Sequence, residues 1–118
     1  MFKVFQIRPS QTVTEAVNSI GHSAAAQAHP IWEAKLETMH GSEGYKSQYS
    51  EHYEHVCDIA AEDLDAVFHI GNMGPEEKIN RIAPMHSISV GDVVVDMIGD
   101  AYIVDSFGFE KIDFDEVA

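Results

Sequence analysis

The residue types best suited to chemistry lie in one short segment, which holds His52, His55, Cys57 and Asp58. Imidazole, thiolate and carboxylate groups are all ligands of divalent metals, so these four residues are the candidate metal ligands. Apolar and polar residues alternate along 52–59, which predicts a β-strand. Side chains alternate between the faces of a strand, so His55 and Cys57 would share one face while His52 would not. Two ligands do not close a site, so we expect no cofactor and a partly buried histidine beside a core cysteine.

Cys57 is also a candidate nucleophile, because any of seven histidines could serve as its base. Nothing around it resembles a nucleophile turn or a helix N-terminus that would lower the pKa of the thiol. A lone cysteine in an apolar strand is usually a small core hydrophobe. The chain also lacks the glycine-rich motifs that cradle phosphates. These patterns favour a non-enzymatic protein, and a small metal- or cysteine-dependent enzyme using residues 52–58 is the alternative.

Net charge is the second informative feature, because the chain carries a formal charge of −13. Residues 1–40 hold three basic and three acidic residues, so all of the net charge lies in residues 41–118. Such a surface repels nucleic-acid phosphates and anionic lipids, which argues against direct binding to DNA, RNA or membranes. A protein partner is expected instead, with a basic or nucleic-acid-binding host factor as the leading candidate. The alternative is that the charge only keeps the protein in solution.

A DNA-mimicking face is the sharpest form of the binding hypothesis. The carboxylates that would form it are Asp92, Asp96, Asp100, Asp105, Glu110 and Asp113. Rows of anions on one surface would attract a basic nucleic-acid-binding protein. Whether carboxylates from two neighbouring strands meet on one face depends on the register of the turn between them.

The strongest local pattern is a C-terminal hairpin, formed by β-branched runs at 93–98 and 101–107 around Gly99-Asp100. We predict that its core residues are Val93, Val95, Ile103, Phe107 and Phe109, and that they pack against the helix around 64–68. Gly91 and Gly108 are predicted to take backbone conformations with positive φ. An unpaired hairpin edge, or the aromatic pair at 107 and 109, would also allow a homo-oligomer.

The remaining elements are predicted from hydrophobic periodicity. Residues 2–7 form a short strand buried on both faces, and a helix follows that Ser10 or Thr12 caps and Gly21 closes. Residues 23–28 extend a helix or line a connection, 31–39 form a short helix or a strand, and 45–50 form an exposed polar segment. Residues 61–64 form the first turn of a further helix, which buries Leu64, Val67 and Phe68 and ends at 72–75. The order predicts an α+β domain with a largely antiparallel sheet of about four or five strands and two or three helices.

Size and compartment follow from the whole chain, which has 118 residues and one cysteine. This length predicts a single domain spanning 1–118, with an acidic tail at 113–118 that frays. A single cysteine cannot form an internal disulfide, and the first residues lack the pattern of a signal peptide. No apolar run approaches the roughly 20 residues of a membrane span. We therefore expect a cytoplasmic protein.

Two C-terminal runs carry a family resemblance: residues 86–95, His-Ser-Ile-Ser-Val-Gly-Asp-Val-Val-Val, and residues 102–109, Tyr-Ile-Val-Asp-Ser-Phe-Gly-Phe. Together they resemble the C-terminal signature of the YodL-like domain and of related small proteins of phages and mobile elements. The helix that precedes the signature there is similar to residues 63–68 and Asn72. The resemblance implies a phage or mobile-element origin, and it supplies no catalytic residues that could be assigned to this chain.

Overall fold

The computed structural model describes residues 1–116 and shows an α+β fold built on one antiparallel sheet. Its six strands are β1 Phe2–Ile7, β2 Tyr53–Ile59, β3 Ile79–Arg81, β4 Val93–Val95, β5 Ala101–Val104 and β6 Phe109–Ile112. They lie in the order β3-β2-β1-β4-β5-β6, and every neighbouring pair is antiparallel. The predicted fold class is confirmed, with slightly more strands than expected.

Within the described residues, four α-helices flank the sheet: α1 Gln11–Ile20, α2 His22–Ala28, α3 Pro30–Thr38 and α4 Leu64–Met73. Short 3-10 segments occur at Gly41–Glu43, Ser47–His52 and Glu76–Lys78. The Ser10 hydroxyl accepts a hydrogen bond from the backbone N–H of Val13, and Gly21 ends α1 with φ of 85°. Both ends of the predicted helix are therefore confirmed. No helix in residues 1–116 has the length and apolarity needed to cross a membrane.

The two faces of the sheet bury separate apolar clusters, which we call the α3 face and the α4 face. Phe5, Ile7 and Ile103 pack with Ala34 of α3 on the first. On the second, Phe2, Val4, Val94 and Val104 pack with Val67 and Ile70 of α4. Strand β1 lies at the centre of the sheet and contributes to both clusters. This confirms the prediction that 2–7 is buried on both faces.

The C-terminal hairpin forms with Val93 opposite Ile103, and both side chains are fully buried. They pack on the α3 face, so the prediction that they pack against the helix around 64–68 is wrong. Strand β4 ends at Val95 because the carboxylate of Asp96 accepts hydrogen bonds from the backbone of the following turn. The prediction that Phe107 is a core residue is wrong, because Phe107 is 98% exposed at the tip between β5 and β6. There the backbone N–H of Asp105 bonds the carbonyl of Gly108 and closes a tight turn that carries the ring into solvent. Phe109 is half-buried.

Two further expectations need correction. The polar stretch 45–50 is not an exposed segment, because Tyr49 and Ser50 are buried. Residues 113–116 of the expected frayed tail pack against the domain: the Tyr45 hydroxyl donates to the Asp113 carbonyl over 2.7 Å, and the Phe114 ring lies 5.1 Å from that of Phe5. Aromatic packing therefore holds this end of the chain in place. Residues 117 and 118 of the predicted tail lie outside the described residues.

Candidate functional site

A β-bulge decides where the candidate metal ligands lie. Val4 pairs with Cys57 and Phe5 with His55, so Val56 is an extra residue on β2. The extra residue shifts the alternation of side chains, which places Cys57 on the α4 face with Val4 and His55 on the α3 face with Phe5. The prediction that His55 and Cys57 share a face is therefore wrong.

The same bulge brings His55 and Asp58 together. The His55 ring stacks on Phe5 with centroids 4.9 Å apart, and its Nε2 lies 2.7 Å from Oδ1 of Asp58. His52 ends the 3-10 segment that precedes β2, where its Nε2 lies 3.4 Å from Glu51. In the described part of the chain, no three histidine, cysteine or acidic side chains are placed to hold a metal ion. The four candidates thus contribute one partly exposed histidine–carboxylate pair.

Cys57 is a core residue with no exposed surface. It packs in the α4-face cluster, and burial raises the pKa of its thiol to about 11, with the charge of Asp58 as a further cause. The thiolate is the nucleophilic form, and this environment disfavours it at neutral pH. Cys57 therefore serves the packing of the sheet.

The six candidate interaction carboxylates do not form one face. Asp92 and Asp96 lie on the α4 side of β4. Asp105 lies on the same side of the sheet as Ile103, and Glu110 pairs with Ile103, so both of these carboxylates lie on the α3 side. Asp100 lies 3.4 Å from the Lys111 ammonium, and Asp113 is exposed beyond β6.

Several of these carboxylates also bind the backbone of their own chain. Asp105 accepts hydrogen bonds from the backbone N–H and hydroxyl of Ser42, at 2.8 and 2.7 Å. Asp96 closes the turn between β4 and β5. The expectation that the six carboxylates share one face is therefore wrong, because the hairpin register sends them to both sides of the sheet.

Asp92 is the most unusual of the acidic residues, because only 2% of it is exposed. Its Oδ2 accepts hydrogen bonds from Nε2 of Gln6 at 3.0 Å and from the backbone N–H of Ser89 at 2.9 Å. The Gln6 amide also bonds the backbone N–H and carbonyl of His86. Burial raises the pKa of Asp92 to about 6, although these bonds and the nearby His86 oppose the shift. Gln6, a polar residue inside an apolar strand, was the sequence signal for this buried cluster.

A groove with a largely apolar lining lies on the α4 face. It has a volume of about 590 Å³ and lies between the start of α4 and the β4–β5 turn. Apolar side chains of the groove include Leu64, Met97, Ile98 and Phe109. Met97 and Ile98 are 72% and 83% exposed, so two consecutive large apolar side chains of the groove lie in solvent. Sequence reasoning missed this site, since it assigned 97 and 98 to the end of a strand.

Three carboxylates also line the groove, from Asp63, Asp65 and Asp96, and we call them the rim carboxylates. Asp63 caps α4 by accepting a hydrogen bond from the backbone N–H of Ala66 at 2.8 Å, and Asp65 lies in the first turn. Among the described residues that line the groove, none is a lysine or an arginine. The result is an apolar surface beside negative charge, and such a surface favours a ligand that is both apolar and cationic.

Comparison of the chain with protein-family models, with curated proteins and with solved structures gave no match.

Proposed function

We propose that this protein is a small, acidic, non-enzymatic binding protein whose groove receives a cationic amphipathic helix of a protein partner. The observation that carries the proposal is the pairing of two exposed apolar side chains, Met97 and Ile98, with a rim of carboxylates. Exposed apolar patches with polar rims are typical of protein-interaction sites.

The place of the groove in the fold favours a helix as its occupant. Helix α4 contacts β2 and packs on the side of the sheet that holds β1 and β2. The groove lies beside α4 on the same face of the sheet, over the part that contains Tyr102 and Phe109. In layered α+β folds, a helix beside another helix is the usual cover for a sheet face. Apolar anchors at helical spacing would then fill the groove.

The charge of the groove favours a basic partner. Lysine or arginine side chains on the flanks of the bound helix would meet the three rim carboxylates, and the net charge of −13 would increase the rate of association. A second copy of this chain fits poorly, because two surfaces of the same sign repel each other. The occupant is therefore a different protein.

Origin and compartment remain part of the proposal on sequence grounds. The C-terminal resemblance to YodL-like proteins supports a phage or mobile-element source, and the partner would then be a host protein met in the cytoplasm. The enzyme alternative has no comparable support, because Cys57 and His55 lie on opposite faces of the sheet.

Fluorescence anisotropy with labelled peptides tests the proposal. The probe is an amphipathic peptide of about 18 residues with leucines on one face and lysines on the other, and its control is a scrambled peptide of the same composition. We expect saturable binding of the amphipathic peptide that weakens as salt is added. Equal binding of the scrambled peptide would show attraction by charge alone and would contradict the groove.

Variants at exposed positions sharpen the test without disturbing the core. The double change Met97→Ser and Ile98→Ser should weaken peptide binding at least about tenfold, because it removes the apolar anchors. Asp65→Asn should reduce both the affinity and its salt dependence. Met39→Ser, at a half-exposed methionine after α3, is the matched control and should bind as the unchanged protein does. Unaltered affinity in the double variant would refute the proposal.

A further inference from the structure

A smaller pocket continues the groove along α4, and we call it the Phe68 pocket. Its volume is about 200 Å³, and it lies between α4 and the turn that joins β5 to β6. Asp65, Gly108 and Phe109 line both the groove and this pocket, so the two cavities are neighbours. Phe68 and Val104 line the pocket but not the groove. The apolar surface of the groove therefore extends toward the tip of the β5–β6 hairpin.

The walls of the Phe68 pocket carry two aromatic rings without ring partners. Phe68 is 40% exposed, so the prediction that it is buried is wrong, and Phe109 is half-buried on β6 opposite Val104. Within residues 1–116, neither ring pairs with another aromatic ring, whereas Phe5 on the α3 face has two such neighbours. Aromatic rings gain stability from offset-stacked or edge-to-face neighbours. The pocket therefore offers an aromatic ligand two rings that are still free to contact it.

The size of the pocket matches one aromatic side chain. An apolar cavity of about 150 Å³ is large enough to bind benzene. The Phe68 pocket, at about 200 Å³, therefore has room for one phenyl ring with its methylene group. Asp105 also lines the pocket, but its carboxylate already accepts two hydrogen bonds from Ser42.

The length of α4 between the two cavities sets the spacing of the side chains that could fill them. Leu64 lines the groove, and Phe68 lines the pocket four residues later on the same helix. Four residues of an α-helix span about 6 Å, which is close to one turn. A partner helix that lies alongside α4 has the same rise for each residue. Its side chain four residues from the groove anchor would therefore lie over the pocket.

We propose that the Phe68 pocket is a second subsite, which binds an aromatic side chain of the partner helix one turn away from its groove anchor. This inference rests on the proposed function, in which a cationic amphipathic helix occupies the groove. Contacts with the rings of Phe68 and Phe109 favour an aromatic side chain over an aliphatic one. Asp65 lines both cavities and meets a lysine or arginine placed between the two anchors. The partner is then a basic helix with two apolar anchors four residues apart, one of them aromatic.

A series of labelled peptides tests the subsite by fluorescence anisotropy with the full-length protein. Each peptide is the leucine–lysine helix described above, with phenylalanine, leucine or serine at one apolar position four residues from the central leucine. Separate peptides vary the position before and after that leucine, so that both directions along α4 are covered. In one direction, we expect the phenylalanine peptide to bind at least about fivefold more tightly than the serine peptide, and more tightly than the leucine peptide. A phenylalanine two residues from the central leucine points about 200° around the helix and should give no such gain.

The Phe68→Ala variant separates the subsite from the groove. We expect it to abolish the gain from phenylalanine and to bind the serine peptide as the unchanged protein does, which shows that the fold and the groove are intact. Phe107→Ala removes a ring at an exposed position outside both cavities, and this matched control should keep the gain. A full gain in Phe68→Ala, or equal weakening of both peptides by that change, would overturn the subsite. Equal affinities of the phenylalanine and serine peptides for the unchanged protein would overturn it without any variant.

Failure of the subsite is distinguishable from failure of the proposed function. If the serine peptide binds, and binds more weakly to the Met97→Ser and Ile98→Ser double variant, the groove receives the helix. A phenylalanine that then adds nothing would refute the subsite alone. If none of the amphipathic peptides binds more tightly than the scrambled peptide, both the groove and its second subsite are refuted.

Discussion

Replacing Asp92 by asparagine tests whether the buried carboxylate destabilises the fold at neutral pH. Asparagine keeps an oxygen that can accept the hydrogen bonds from Gln6 and Ser89, and it removes the charge. The pKa of Asp92 rises from 3.8 to about 6 on folding, because burial disfavours the ionised form. A shift of about two units at about 1.4 kcal/mol for each unit corresponds to about 3 kcal/mol.

The direction of the pH dependence follows from that shift. A carboxyl whose pKa is higher in the folded state binds its proton more tightly there. Its contribution to stability is therefore complete below about pH 4 and is lost as the pH rises through about 6. The Asp92→Asn variant lacks this titration. We expect it to match the unchanged protein in acid and to exceed its free energy of unfolding by up to about 3 kcal/mol near neutrality.

Urea denaturation at several pH values between about 4.5 and 7.5 measures the effect. The quantity to follow is the difference in the free energy of unfolding between variant and unchanged protein, since other acidic groups titrate equally in both. Glu110→Gln removes one charge from an exposed position and is the control, for which we expect a difference that hardly changes with pH. A pH-independent difference for Asp92→Asn, or a large loss of stability at neutral pH, would refute the reasoning.

Three further predictions concern the hairpin and the core. Phe107→Ala should change the free energy of unfolding by less than about 0.5 kcal/mol, because the ring is 98% exposed. A loss of several kcal/mol in urea melts would show instead that the ring belongs to the core. Gly91→Ala should lower the free energy of unfolding more than Gly108→Ala does in the same measurement. The φ angle is positive at both glycines, but only at Gly91 would an added Cβ lie 2.4 Å from the Thr38 carbonyl oxygen. An equal or larger loss at Gly108 would contradict this cause. Cys57 should resist disulfide-exchange reagents in the folded protein and react once urea unfolds it, because its thiol is buried and its pKa raised to about 11. Rapid labelling under native conditions would count against that assignment.

Elements held together by neighbouring residues could be predicted from the sequence. Helix α1 begins and ends where Ser10 and Gly21 predict, because capping depends on residues within one turn of the helix end. The pairing of β4 with β5 and the positive φ at Gly91 and Gly108 also follow from short turns. Composition and periodicity together were enough for the α+β class.

Features that depend on distant segments could not be predicted in this way. The alternation of residues 53–59 continues without interruption in the sequence, yet pairing with β1, some fifty residues away, introduces the bulge at Val56. That one extra residue separates Cys57 from His55 and joins His55 to Asp58.

The burial of Asp92 likewise depends on Gln6 at the other end of the chain. The groove exists because α4 covers only part of its sheet face. Local periodicity specifies which side chains an element turns inward, but only the packed sheet decides which elements supply their neighbours and which surfaces stay uncovered.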